Sequence, residues 1–229
     1  MQTKIIYEDA QVIVCHKPAG LATQSGRVGQ ADVVSELKKY LASGQGKASV
    51  EASHKKEGAK RVSGKVGKSG GAVPYLGVVH RLDQPVEGLL VFAKTKEAAA
   101  KLTTQLSQGS LNKQYYAVVC GKPASKSQEL VDYLIKDGNV AKVSESGAAE
   151  AKKAVLQYIV VREAQTADGE DFTLLDIHID TGRFHQIRAQ MSHAGLPLLG
   201  DSKYGNEQSL ALGRKLGIRN VALYAYKVE

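Results

Sequence analysis

Two cysteines, Cys15 and Cys120, are all that a chain of 229 residues contains. They form no CxxC pair and have no His/Cys spacing suited to zinc, which argues against a disulfide framework or a zinc module. Both lie in apolar, β-like runs and are expected to be reduced, buried and inert. No apolar run approaches the ~20 residues that span a bilayer. The start, "MQTKIIYEDAQ", lacks the basic flank and long apolar core of a secretory signal and already alternates like a strand, so a cytoplasmic protein is expected. Walker, dinucleotide-binding and zinc patterns are missing as well.

One stretch is short of almost everything a core needs. Gly44 to Gly71 contains no aromatic residue and no Leu or Ile, while Gly, Ser and Lys abound without any period. Such a segment cannot bury enough apolar surface to offset the entropy of ordering, and a flexible insertion is expected. It carries seven Lys/Arg and two Glu, so five of the eight excess positive charges of the chain fall here. It reads either as an arm that tracks phosphates or as a solvated insertion. The net charge of +8 makes polyanions the first partners to consider.

The remainder has clear patterning. "KIIYEDAQVIVCHKPAG" reads as strand, turn and strand, ended by Pro18 and Gly20. Val33, Val34, Leu37 and Leu41 have helical spacing, with Lys38 and Lys39 placed where a cation suits the helix dipole. In "TKEAAAKLTTQLSQG", Thr95 can cap a helix that Gly109 ends. "LNKQYYAVVCG" reads as a strand, and 154–162 and 172–180 read as two more, joined by a hairpin at "ADGED". "GRFHQIRAQMSHAG" turns to helical period, with a helix expected from near Gly182 to Gly195. Strands come in runs broken by single helices, without regular βαβ alternation. That favours one α+β domain over 1–229, with a mixed or antiparallel central sheet flanked by helices.

The chemistry concentrates in "HRLDQPVEGLLVFAKT", His80 to Thr95. Asp83 sits at the mouth of a buried strand, held by Pro85 and thinned by Gly88 so that a backbone or a ligand can approach. A lone Asp there most often caps a turn. A second basic cluster, Arg183, His185 and Arg188, lies at another turn-to-helix junction. An Arg within ~4–6 Å of a part-buried carboxylate keeps it ionised, as a nucleophile or a base requires. Arg183 at the helix start suits anion binding, and Arg188 between Ile187 and Met191 suits a buried ion pair. A metal-dependent hydrolase using His80, Asp83, His178, Asp180 and His185 is the competing reading, but its ligands lack a zinc-like spacing.

"VIVCHKPAGLAT", "HRLD" with its Gly and "LLVFAKT", "KQYYAVV" and "GRFHQIRAQMSHAGLPLLGDSKYG", in that order, resemble the RluA family of RNA pseudouridine synthases from about Gln11 to Tyr226. The resemblance implies that family's fold with a catalytic cleft, no cofactor, and isomerisation of a flipped-out uridine in rRNA or tRNA. It implies Asp83 as the catalytic carboxylate, either nucleophile at C1′ or base at C2′. Tyr115 would stack on the base and remove the C5 proton, and Arg188 would pair with Asp83. Arg81 would fill the hole left by the flipped uridine, with His80, Lys113, Arg183 and His185 also on the RNA side. An inactive RNA-binding relative would have lost Asp83, Tyr115 or Arg188, and all three are present. Val86-Glu87 stands where the family usually has Thr-Ser, and Phe184 where Thr is usual. No S4-like domain precedes the catalytic motifs, and the chain ends soon after the last motif. A monomer that binds RNA and no membrane is expected.

Overall fold

The computed structural model describes residues 1–27, 29–44 and 73–229. The basic insertion, apart from Gly44, lies outside the described residues. Ten strands form one sheet in the order β1-β2-β4-β10-β5-β9-β8-β6-β7, with β3 pairing β4 off that path. The strands are β1 (Lys4–Glu8), β2 (Val12–Lys17), β3 (Gly77–Val78), β4 (Glu87–Ala93), β5 (Lys113–Cys120), β6 (Ser127–Asp137), β7 (Val140–Ser144), β8 (Lys152–Gln165), β9 (Asp171–Ile179) and β10 (Leu223–Val228). Only β10 with β4 is a parallel pair, so the sheet is mixed and mostly antiparallel. Four helices accompany it among the described residues: α1 (Val33–Ala42), α2 (Lys96–Ser107), α3 (Gln186–His193) and α4 (Glu207–Lys215). None of them is long and apolar enough to cross a membrane.

Period-2 alternation explains which face is buried. Ile13 and Cys15 of β2, Leu90 and Phe92 of β4, Ala117 and Val119 of β5, and Leu175 and Ile177 of β9 belong to one core cluster, which Val33 and Leu37 of α1 and Ile187 and Met191 of α3 complete. Asp32 caps α1 and Thr95 caps α2, each accepting a backbone N–H three residues on. Both cysteines are free and buried. The hairpin expected at 167–171 joins β8 to β9.

Gly88 is required where another backbone, that of β10, comes close. Its φ is +135°, and a Cβ there would stand 2.4 to 2.7 Å from the backbone of Ala225. No side chain fits, so β4 and β10 can run side by side beneath the Asp83 loop.

Two local expectations are corrected. The last helix near the site begins at Gln186 rather than near Gly182, because His185 takes a left-handed conformation (φ 51°, ψ 28°) and breaks the turn. Arg183 therefore precedes the helix. Its Nε donates to the carbonyl of Lys153 at 2.9 Å, and it does not occupy a helix N-terminus. Glu87, at a position where the family usually has Ser, pairs with His16 Nε2 at 3.0 Å, while Val86 fills the core.

Candidate active site

A cleft of about 1050 Å³ opens between the 79–86 loop, the start of β5, the end of β9 and the 181–188 turn. His80, Arg81, Asp83, Lys113, Tyr115, Arg183, His185 and Arg188 all line it. Sheet order explains the convergence. Tyr115 of β5 is paired with Ile177 of β9 on one side and Ala225 of β10 on the other, and β10 in turn pairs with β4, which leads out of the Asp83 loop.

The loop that carries Asp83 is tied down on both sides of it. Thr23 Oγ1 donates to the carbonyl of Leu82 at 2.9 Å and accepts that residue's N–H at 3.2 Å. The carbonyl of Gln84 accepts from the Gly20 N–H at 2.9 Å and from Lys17 Nζ at 3.0 Å. Lys17 is fully buried, and its ammonium also donates to the carbonyls of Leu21 and Pro18. Burial pushes its pKa down to about 8 against the opposing charges of Asp83 and Glu87. Its role is to tie three carbonyls together, that of Gln84 being shared with the Gly20 N–H. Lys17→Met removes a donor from each, and an acceptor left without a partner costs about 1–3 kcal/mol, partly offset by no longer burying an ammonium. The expected result is a Tm lowered by roughly 4–8 °C, measured by thermal denaturation; an unchanged Tm would refute the anchoring role.

Arg188 is the hub of the site. Its side chain is 4% exposed, with Nε and Nη2 each donating to Asp201 at 2.7 Å in a bidentate pair. Nη1 then reaches Asp83 Oδ2 at 3.1 Å. Burial opposes the charge of Arg188, but Asp201 and then Asp83 more than offset it, so its proton is held more tightly than usual. The pair expected between Arg188 and Asp83 is present. Its stronger partner, Asp201, was not singled out from the sequence, although it lies within the quoted "GDSKYG". Asp201 also accepts the backbone N–H groups of Lys203 and Tyr204.

His185 approaches the same carboxylate oxygen, with Nε2 3.7 Å from Asp83 Oδ2. Its Nδ1 lies 2.8 Å from Tyr204 Oη, and that oxygen accepts the Ala141 N–H at 2.6 Å. The Tyr204 hydroxyl has no other acceptor among the described residues, so its proton points at Nδ1. The hydrogen-bond network thereby assigns the imidazole proton to Nε2, facing Asp83. Burial pushes the His185 pKa down to about 4, despite the carboxylate of Asp83, so the ring is neutral at physiological pH. Gln186 secures the turn: its amide oxygen accepts from Thr181 Oγ1 and the Arg183 N–H, and its Nε2 donates to the Val155 carbonyl. Phe184 stacks on His185 with centroids 3.8 Å apart and remains 37% exposed at the rim.

Asp83 Oδ2 thus faces two N–H groups, whereas Oδ1 has no hydrogen-bond partner among the described residues. Tyr115 is buried, and burial followed by the Asp83 charge raises its hydroxyl pKa. Arg81 is exposed at the cleft edge. His80 is buried, and its Nε2 accepts the Val91 N–H at 3.1 Å. His178 pairs with Asp180 at 3.1 Å, and His193 with Asp132 at 2.9 Å. Among the described residues no three His, Cys, Asp or Glu side chains converge as metal ligands, so the hydrolase reading has no ligand set there.

A family model described as RNA pseudouridylate synthase matches residues 11–193. Ribosomal large subunit pseudouridine synthase D of Zymomonas mobilis subsp. mobilis is 30% identical over 224 residues, covering 97% of this chain and 62% of that protein. tRNA pseudouridine synthase C of Haemophilus ducreyi is 27% identical over 233 residues, covering 98% of this chain and 84% of that one. The chain spans little more than half the length of several curated relatives, 54% to 62% of three of them. Among solved structures, Human RNA Pseudouridylate Synthase Domain Containing 1 superposes with a TM-score of 0.70 at 18% identity, covering 99% of this chain and 77% of that one, a likeness of fold.

Proposed function

The chain belongs to the RluA family of RNA pseudouridylate synthases, and from that premise we propose that it converts uridine to pseudouridine in RNA, with Asp83 as the catalytic carboxylate. The observation that carries this reading is the Asp83–Arg188 ion pair opening onto a cleft whose wall includes Tyr115. The substrate is a uridine extruded from ribosomal or transfer RNA, the two RNA classes named for its relatives. Reaching both the sugar and the base requires such extrusion, which costs a few kcal/mol that stacking and phosphate contacts must repay.

In this mechanism Arg188 binds Oδ2 and His185 faces it, and together they orient the carboxylate. Oδ1 is the reacting oxygen. It either attacks C1′ or takes a proton from C2′, and either step lets the C1′–N1 bond break. Tyr115 offers a flat face to the base, and its hydroxyl, kept protonated by burial, can relay the C5 proton by passing on its own once C5 has bonded to C1′, N1 gaining a proton in the overall exchange. Arg81 and Arg183, exposed at the cleft edge, serve RNA contacts. The test is to map pseudouridines in RNA from cells with and without the gene; identical maps would defeat the reading.

A smaller effect is expected at Tyr204. Tyr204→Phe removes the hydroxyl proton that reserves His185 Nδ1 as an acceptor, and the imidazole becomes free to turn a lone pair toward Asp83. The single-turnover rate should fall about tenfold, the worth of one hydrogen bond of roughly 1.4 kcal/mol, with RNA affinity unchanged. Nitrogen NMR of the His185 ring reads the tautomer directly, and a wild-type ring protonated at Nδ1 would contradict the assignment.

A further inference from the structure

Lys113 is a buried ionisable group of the cleft wall whose charge no carboxylate among the described residues answers. The residue is 8% exposed, yet no carboxylate or carbonyl among the described residues pairs with its ammonium. Burial lowers its pKa without a compensating anion. Nζ is not sealed off, since it is absent from the buried polar atoms that lack both a partner and solvent contact. It lies beside Gly182, where an added Cβ would stand 3.5 Å from it. Lys113 and Tyr115 are two apart on β5, so they share one face of the sheet. Both side chains border the cleft, and the Tyr115 hydroxyl has no partner among the described residues either. His80, the other buried base nearby, is kept neutral, its pKa pushed down to about 4 by burial and then by the Lys113 charge. The cleft therefore has two poles: the Asp83 carboxylate, which shares the Arg188 guanidinium with Asp201, and an ammonium with no counter-charge among the described residues. Keeping such a charge unpaired costs folding stability, and a negative ligand would repay it.

We propose that Lys113 is a catalytic residue that binds a carbonyl oxygen of the extruded pyrimidine and stabilises the negative charge the base acquires during the reaction. This rests on the function proposed above. When C1′–N1 breaks, the bond pair leaves with the base and spreads over N1, O2 and O4, while C1′ or C2′ is dealt with by Asp83 Oδ1. The charge disappears when C5 bonds to C1′, and the C5 proton is then exchanged for one at N1. An ammonium fixed one step along the strand from the stacking ring meets the base only while the base is in the cleft. Aimed in advance at the developing charge, it acts on the rate more than on affinity. Its recessed position favours the base over a backbone phosphate, which stays at the cleft mouth.

Lys113→Met separates these roles. With an RNA that the wild-type protein converts, the single-turnover rate should fall at least 100-fold, the RNA Kd should change less than threefold, and the slope of log Kd against log salt should stay the same. The Tm should hold or rise, because an unpaired buried charge is removed. A second arm needs no turnover: barbiturate, a pyrimidine already anionic on its oxygens near neutral pH, should bind the whole wild-type protein at least tenfold more tightly than the variant. An undiminished rate, equal barbiturate binding, or a Tm several degrees lower would overturn the assignment. So would a weaker Kd with a salt slope reduced by about one, the mark of a phosphate contact. If the wild type converts no RNA, the function proposed above falls, and the barbiturate arm still decides for or against the lysine.

Discussion

Asp83→Asn should abolish pseudouridine formation while leaving the fold and RNA binding nearly as they are. The amide keeps the shape of the carboxylate and still offers an oxygen to Arg188 Nη1, now 3.1 Å from Oδ2. Arg188 also retains its bidentate partner Asp201, so no charge is stranded in the interior. What is lost is the ionised oxygen facing the cleft. Removing a group that forms or breaks bonds with the substrate costs at least ~10⁴-fold in rate, and a loss of that size is expected in single-turnover assays scored by mass spectrometry of digested RNA. The Kd should move less than about threefold, because affinity resides in phosphate and stacking contacts. A variant turning over within tenfold of wild type would end the proposed mechanism.

The second large effect is on stability. Asp201 is fully buried and accepts four donors, two from Arg188 and two from the backbone of Lys203 and Tyr204. Asp201→Asn turns one of those acceptors into a donor facing a guanidinium and leaves Arg188 short of charge. Breaking a buried pair by removing one partner costs about 3–5 kcal/mol, and at roughly 2–4 °C per kcal/mol the Tm should fall by about 10 °C. Turnover should fall with it, because the guanidinium that orients Asp83 loses its anchor. Burial alone would raise the Asp201 carboxyl, but Arg188 and the two N–H groups outweigh it and hold the pKa below the ordinary value. The group thus stabilises the fold fully above the unfolded pKa of about 4 and loses that contribution as pH falls through the lower folded value. The gap in Tm between wild type and Asp201→Asn should be constant near neutrality and narrow in acid. A gap that widened in acid would show the sign to be wrong.

Local patterning carried some elements and not others, for physical reasons. The β1–β2 hairpin, α1, the Thr95 cap, β5 and the β8–β9 hairpin were readable because alternation, helical spacing and capping are interactions between near neighbours. The pair β6 and β7 was missed. Most of β6 is exposed or half-exposed on both faces, so "SQELVDYLIKD" carries little alternation. Helix α4 was also missed, being nine residues long with Leu212 as its only large buried side chain. Its capping box at Asn206 and Ser209 departs from the usual Glu or Gln at the third position.

Residue order by itself determined the family and the mixed antiparallel architecture and pointed to Asp83, Tyr115 and Arg188 as candidates, because ordered motifs and periodicity are written along the chain. Tertiary structure alone decided what holds those groups. Lys17 reaches the Gln84 carbonyl across 67 residues because β2 pairs with β4, with Lys17 opposite Gly88. Asp201 and Tyr204 reach Arg188 and His185 because the chain after α3 folds back over it. Such contacts follow from strand register and helix docking, which no local spacing encodes. The same geometry leaves Lys113 buried beside the cleft without a counter-charge among the described residues, a fact about its surroundings that its place in "KQYYAVV" could not reveal.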